Sequence, residues 1–364
     1  MSTGYWICLF CFSCFPMFAQ QNGQMGQVEP LAPVSATANH SITLDVVVAD
    51  KGGHAASGLQ QSDFILLDNK APQKITSFRV VERPTATADP PVEVILLVDE
   101  VNASVMDVAR QRQALEKLLK QNGGELVRPV SIVLFSDTGT MIGNAPSQDG
   151  KTLLAELDRS SSSLRIIGRS QGIYGAEDRL QLSLRTLGQL ADYETTRPGR
   201  KLVVWISPGW PLLSGPNIEL SPKDQQGLFN DVVSLSDSLR NARITLYSVD
   251  PLGTADAAGF RTSYYKEFLK GVTAASHVQA GNLALQVLAY QSGGKVLNSD
   301  NDMTEEIATC ISDANAFYVL TFDREPGDGP NEYHGLEVKI DKPGLTARTR
   351  SGYYAQPEHR ATSN

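Results

Sequence analysis

The sequence predicts an α/β protein: a mostly parallel sheet with helices on both faces, flanked by a small β unit at each end. Three observations lead there. Between residues 92 and 315, continuous apolar runs alternate with stretches of helical period, as in a sheet whose strands are covered on both faces. Outside those limits the pattern changes to apolar–polar alternation, the mark of half-buried strands. The 364 residues, 41% hydrophobic and 20% charged, suit two domains or one domain of roughly 200 residues with added segments. That composition excludes a mostly disordered chain, a collagen, a coiled coil and a multi-span membrane protein. Lys+Arg number 32 against 40 Asp+Glu, a net charge of −8. With no basic excess to release counterions, a nucleic-acid partner is not expected.

Residues Tyr5 to Phe18 (YWICLFCFSCFPMF) are uncharged and almost wholly apolar. The run suits a signal-peptide core and is short for a membrane span, which needs about 20 residues. Ala19, followed by Gln20, Gln21 and Asn22, offers a cleavage point, although no Lys or Arg precedes the run. Residues 1–19 are therefore read as a signal peptide, ahead of an uncleaved anchor or a misassigned start. The expected location is periplasmic, cell-envelope or extracellular, with no membrane span in the mature chain. Cys8, Cys11 and Cys14 fall inside this leader, which leaves Cys310 without a disulfide partner. Its helical context, MTEEIATCISDA, marks it as a small buried hydrophobe. Residues 20–40, rich in Gln, Gly, Pro, Ala and Ser, read as a tether.

The first β unit covers 41–83, with strands at Ile42 to Val48, at DFILLD and at KITSFRVVE, the last two joined around Asn69-Lys70-Ala71-Pro72. A linker, Glu82 to Pro91, follows. Val92 to Asp99 (VEVILLVD) opens the α/β domain as a buried strand. Ser104 and Asp107 have the spacing of a capping pair for the helix after it. VRPVSIVLFS is the next strand, with helices around 151–157 and 177–191. RKLVVWIS is the third strand, closed by Pro208-Gly209, and a helix near 223–239 leads to ARITLYSVD. A helix at 283–290, a short strand at 294–297 and the Cys310 helix complete the domain, 92–315. The second β unit, 316–355, holds FYVLTF, LEVKI and LTARTRSGYY as three strands, and 356–364 reads as a frayed tail. A sheet needs several strands for independent stability, so the two β units are expected to pack together or to extend one sheet.

In open α/β sheets ligands sit outside the carboxyl ends of the strands. The residues there are Asp99 to Ser104, Ser136-Asp137-Thr138, Ser207-Pro208-Gly209 and Asp250-Pro251. The first strand lacks a GxGxxG turn and no GxxxxGK[ST] occurs, which disfavours nucleotide binding by those routes. Five histidines (His40, His54, His277, His334, His359) lack ligand spacing and fall in expected loops, turns or tails, and no GxSxG elbow is present. A triad assembled in space stays open as an alternative. Two stretches offer candidate contact surfaces. One is Pro251 to Ala280, where Phe260, Tyr264, Tyr265 and Phe268 interleave with Arg261 and Lys266, either as exposed anchors or as an amphipathic helix. The other is the loop Pro208 to Pro216 with Trp210.

Taken together, ITLDVVVADKGGHAASGLQQSDFILLDNKAPQKITSF, VILLVDEVNAS with RPGRKLVVWISPGWP, and FYVLTF…LEVKIDKPGLTARTRSGYYA resemble the secreted bacterial "VWFA-related" family first recognised in acidobacteria. The central part looks like a von Willebrand factor type A domain. The resemblance runs from about Ile42 to Ala355. It implies a Rossmann-like domain that binds a protein partner, sometimes through Mg²⁺ held by Asp-x-Ser-x-Ser, a second-loop hydroxyl and a later Asp. Hard oxygen ligands of that kind suit Mg²⁺. Here the first loop reads Asp99, Val101, Ala103, so only Asp99 matches. Asn102 and Ser104 offer oxygens in a shifted register, Ser104 serving equally as a helix cap. Ser207 stands where the later Asp is expected, and Ser170 is the candidate for the hydroxyl loop. The expectation is an exported, non-catalytic protein-interaction module with a degenerate metal-ion-dependent adhesion site, at which Asp99 can instead hydrogen-bond its own loop. Mg²⁺ is the one cofactor considered. The alternatives are a metal-independent envelope scaffold and a hydrolase.

Overall fold

The computed structural model describes residues 41–82, 92–143, 145–159, 172–211, 220–252, 261–298, 302–324 and 327–357. The leader, the tether, most of the linker, Ser170, Phe260 and the last seven residues lie outside them. Along the chain the strands are β1 (Ser41–Ala49), β2 (Phe64–Asp68), β3 (Ala71–Gln73), β4 (Ile75–Glu82), β5 (Glu93–Asp99), β6 (Glu125–Ser136), β7 (Gly139–Ile142), β8 (Ser147–Asp149), β9 (Lys201–Ile206), β10 (Ile244–Val249), β11 (Val296–Leu297), β12 (Ala316–Asp323), β13 (Glu332–Ile340), β14 (Thr346–Arg348) and β15 (Gly352–Ala355). The helices are α1 (Val105–Leu119), α2 (Gly150–Arg159), α3 (Gly172–Thr195), α4 (Pro222–Asn241), α5 (Arg261–Tyr264), α6 (Leu285–Gln291) and α7 (Met303–Ser312).

The central sheet has the order β11-β10-β9-β5-β6-β7, with β8 also on β6. Its pairs are parallel except those of β7 and β8, which run antiparallel to β6. Every residue of β5, β9 and β10 is buried, which is why these strands are continuous apolar runs. Side chains alternate between two layers. Val94, Leu96 and Val98 pack with Val108, Leu115, Ile307 and Cys310 of α1 and α7. Ile95 and Leu97 face Leu187, Val233 and Leu288 of α3, α4 and α6. Ser104 caps α1 as its spacing predicts: its Oγ accepts from Asp107 N at 3.2 Å, and the Asp107 carboxylate accepts from Ser104 N at 3.1 Å. The result is a mixed α/β fold with a mostly parallel sheet, compatible with a Rossmann-like arrangement. Among the described residues no helix is long and apolar enough to cross a membrane.

The two β units pack together rather than extend the central sheet. They build two antiparallel sheets, β14-β1-β12-β4 and β15-β13-β2-β3, each drawn from both ends of the chain. Ile42, Leu44, Val46, Phe64, Leu66, Tyr318, Leu320, Phe322 and Tyr353 fill the space between them. The opposite side of β1 and β12, at Val47, Phe317 and Val319, packs onto the α/β domain beside Cys310 and Ala314.

Three sequence expectations need correction. LTARTRSGYY is not one strand: β14 joins β1 and β15 joins β13, and Thr349-Arg350-Ser351 crosses between sheets, held by Ser351 N donating to Gln291 O at 3.0 Å. The chain around Asn69-Lys70 does not simply join two strands. Both residues have positive φ (47° and 69°), and this two-residue turn folds β2 back onto the short strand β3. The edge strands β7 and β8 (GTMI and SQD) were not foreseen, because neither carries an apolar run.

Candidate functional site

Strand β5 delivers Asp99 to the carboxyl end of the central sheet, at its middle. The register pairs Leu97 with Trp205 of β9, so Asp99, two residues on, lies on the same face as that indole. The carboxylate is 0% exposed. Its Oδ1 accepts from Val101 N at 3.0 Å and Asn102 N at 2.8 Å, and its Oδ2 from Asn102 Nδ2 and Trp205 Nε1, both at 2.9 Å. Burial pushes the Asp99 carboxyl above the ordinary carboxylate range, against the opposing pull of the donors from Asn102 and Trp205.

The surrounding residues turn inward as well. Val101 and Ala103, at the positions where the resemblance calls for hydroxyls, are 2% exposed and belong to the two cores on either side of the sheet. Asn102 is buried, and its Nδ2 also donates to Ser183 Oγ of α3 at 2.9 Å. Ser207 is buried and its Oγ accepts from Gly209 N at 3.2 Å. Ser104 is engaged at the start of α1, donating to Asp107 Oδ2 at 2.5 Å. Glu100 pairs with Arg112 at 3.0 Å. The fold thus gathers Asp99, Asn102 and Ser207 beneath the rim and sets Ser104 to capping. Ser170 lies outside the described residues.

These groups do not fit a divalent cation. A carboxylate offers about four lone-pair directions, and protein donors fill them at Asp99. A Mg²⁺ ion, which wants several oxygens and retains waters, would have to displace Trp205 or open the loop. Among the described residues no cluster of three or more His, Cys, Asp or Glu is arranged to hold a metal ion. Among the described residues at the rim, Val105 and Met106, in the first turn of α1, are apolar and 52% and 65% exposed.

Sequence reasoning missed Trp205, although an indole inside an otherwise apolar buried strand signals a buried acceptor for its N–H. Trp210, expected on a contact surface, is 4% exposed and lies edge-on to Trp205 with centroids 5.0 Å apart. Of the aromatic stretch before residue 280, the described part from Tyr264 to Phe268 is neither a regular amphipathic helix nor a row of exposed anchors. It is one turn of α5 and a 3₁₀ segment, from which Phe268 packs on Ala284 and Val287 beside Tyr264 and Tyr265. His334, expected in a loop, is in β13. Its Nδ1 lies 2.9 Å from Asp68 Oδ1, its ring stacks on Tyr353, and Tyr353 donates to Asp68 Oδ2 at 2.6 Å, which ties the two ends of the chain together inside the sandwich.

No family model matches the chain, and no curated protein matches it. Among solved structures it is similar to proximal thread matrix protein 1 from the mussel byssus, with 13% identity over 62% of this chain and 49% of that one, at a TM-score of 0.34. The pilus adhesin SpaC from Lactobacillus rhamnosus GG, in its open conformation, aligns at 10% identity over 81% of this chain and 41% of its own, with a TM-score of 0.39. The SpRpn10 VWA domain aligns at 13% identity over 44% of this chain and 89% of its own, with a TM-score of 0.23. The chain spans under half the length of the first two.

Proposed function

We propose that this chain is an exported, non-catalytic protein-interaction module, in which a von Willebrand A-like domain meets a protein partner through the loops at the carboxyl rim of its sheet without coordinating a metal. The observation that carries this reading is the use of Asp99. Its oxygens brace the loop from Val101 to Asn102 from below, and Val105 and Met106 stand exposed beside it. A well-braced loop beside exposed apolar side chains suits contact with another macromolecule. Export rests on the uncharged apolar run Tyr5 to Phe18. The non-catalytic reading rests on the strand ends, where Asp99 and Ser207 are taken up in hydrogen bonds to the loops beside them.

The test is affinity capture from an envelope fraction with wild type and with Val105→Asp/Met106→Glu, in Mg²⁺ and in EDTA. A partner retained by wild type in both media and lost by the folded variant is the expected outcome. Retention by the variant would remove the rim from the reading. Dependence on Mg²⁺, with heat released on Mg²⁺ titration and lost in Asp99→Ala, would restore the metal-dependent form through Asp99, Asn102, Ser104 and Ser207.

A further inference from the structure

Arg350 lies where the chain crosses from β14 to β15, and it is 8% exposed. Among the described residues its guanidinium has no hydrogen bond and no ion pair. The carboxylates that act on it over a longer range are already engaged: Asp45 with Arg243 at 2.6 Å and Asp237 with Arg240 at 3.1 Å. Burial and the like charge of Arg240 lower its pKa to about 10, which leaves it cationic at neutral pH. A buried cation without a counter-charge is costly, and the protein treats comparable groups differently. Lys201, 2% exposed, donates to the carbonyls of Glu194, Arg197 and Ala242, and Arg200 donates to Asp313 O.

Arg350 lines a pocket of ≈ 20 Å³ at the end of the α/β domain opposite the rim. Ser236 of α4, Gln291 of α6, Ser351 and Tyr333 share its wall, with Leu239 and Leu288. The wall is fixed. Tyr333 donates to Ser351 O at 3.0 Å, and Ser351 N donates to Gln291 O at 3.0 Å. Gly293, at φ +91°, lies so close to the Thr349–Arg350 backbone that a Cβ would fall 2.7 Å from the Thr349 carbonyl carbon. The space therefore does not collapse onto Arg350. It suits a guest of roughly one water's size, smaller than a phosphate or a nucleotide.

We propose that this cavity is a site for one compact monovalent anion, a halide or the end of a small carboxylate, which pairs with Arg350 and ties α4 and α6 to the β13–β15 sheet. Ser236 and Gln291 supply neutral donors around the same space.

The test is thermal unfolding of the full chain at pH 7 and constant ionic strength in sodium chloride, sodium formate and inorganic phosphate, for wild type and Arg350→Met. A saturable rise in Tm with chloride identifies a free halide as occupant, and one with formate alone identifies a carboxylate. In either case the rise is absent in phosphate and lost in Arg350→Met, and the variant is at least as stable as wild type when both small anions are omitted. Equal Tm in all three salts, an equal response to phosphate, or a response retained by Arg350→Met would overturn the site. Should Arg350→Met fail to fold, the wild-type response decides, supported by the chloride NMR linewidth: broadening that formate displaces supports the site, and no broadening together with no formate shift in Tm removes it.

Discussion

The indole of Trp205 donates to the carboxylate of Asp99 at 2.9 Å from the neighbouring strand, across 106 residues of sequence. A residue placed to face solvent at a strand end is thereby converted into an internal brace. Asp99→Ala would leave two backbone N–H groups and the indole without their acceptor, and the Asn102 amide with Ser183 alone. We expect a loss of about 3 kcal/mol or more, since each unsatisfied buried donor costs about 1–3 kcal/mol. Trp205→Phe removes one buried hydrogen bond and leaves a cavity, for a loss of about 3 kcal/mol. Urea denaturation of both variants measures this. An effect below 1 kcal/mol for Asp99→Ala, on the order of a surface substitution, would contradict the brace.

Asp63 links the two halves of the sandwich differently. Its carboxylate accepts from Gln60 N at 2.8 Å and from Lys342 Nζ at 2.9 Å. Those two bonds hold its pKa below the ordinary 3.8, the Gln60 amide being the stronger cause. A lowered folded-state pKa contributes stability above 3.8 that is lost as the pH falls through the folded value. Asp63→Asn should therefore flatten the acid side of the stability profile and leave its neutral shape alone. A pH series of denaturant midpoints tests this, and an unchanged acid limb would rule it out.

Cys310 is 0% exposed within the layer formed with α1 and β5, and burial followed by the nearby Asp313 pushes its thiol pKa upward. Thiolate chemistry should be suppressed in the folded protein. In the chain lacking its leader, alkylation should occur only in denaturant. Stoichiometric labelling under native conditions, followed by mass spectrometry, would contradict that.

Asp313 joins the sandwich to the α/β domain. Its carboxylate meets Lys295 at 3.3 Å, Arg348 of β14, and the hydroxyl of Tyr247 in β10 at 2.8 Å. Asp313→Ala removes the carboxylate shared by Lys295 and Arg348, while Arg348 keeps its bond to Gly293 O, and should cost about 1.5–3 kcal/mol. Hydrogen exchange should then rise first at β14. Uniform loss across the central sheet instead would show that the contact is not local to this junction.

Much of this was legible in the chain because it obeys local rules. β5 and β9 are buried on both faces and read as unbroken apolar runs, and the Ser104/Asp107 pair announces the start of α1 within four residues. The state of Asp99 was not legible. The indole that covers it, Trp205, comes from a distant strand, and nothing near Asp99 reveals its approach. Arg350 was hidden for a related reason: LTARTRSGYY alternates well enough to read as one strand. Only tertiary packing against Gln291 and Gly293 shows that its middle changes sheets.

Glu82, the last residue of β4, stands directly across from Ala316, the first residue of β12. In topological terms everything between them is an excursion out of a single β-hairpin. Replacing that excursion with a tight Asn-Gly turn would close the hairpin and would bare the face of β1 and β12 at Val47, Phe317 and Val319. Any domain set into the same doorway would need termini side by side and an apolar surface of its own to cover that face.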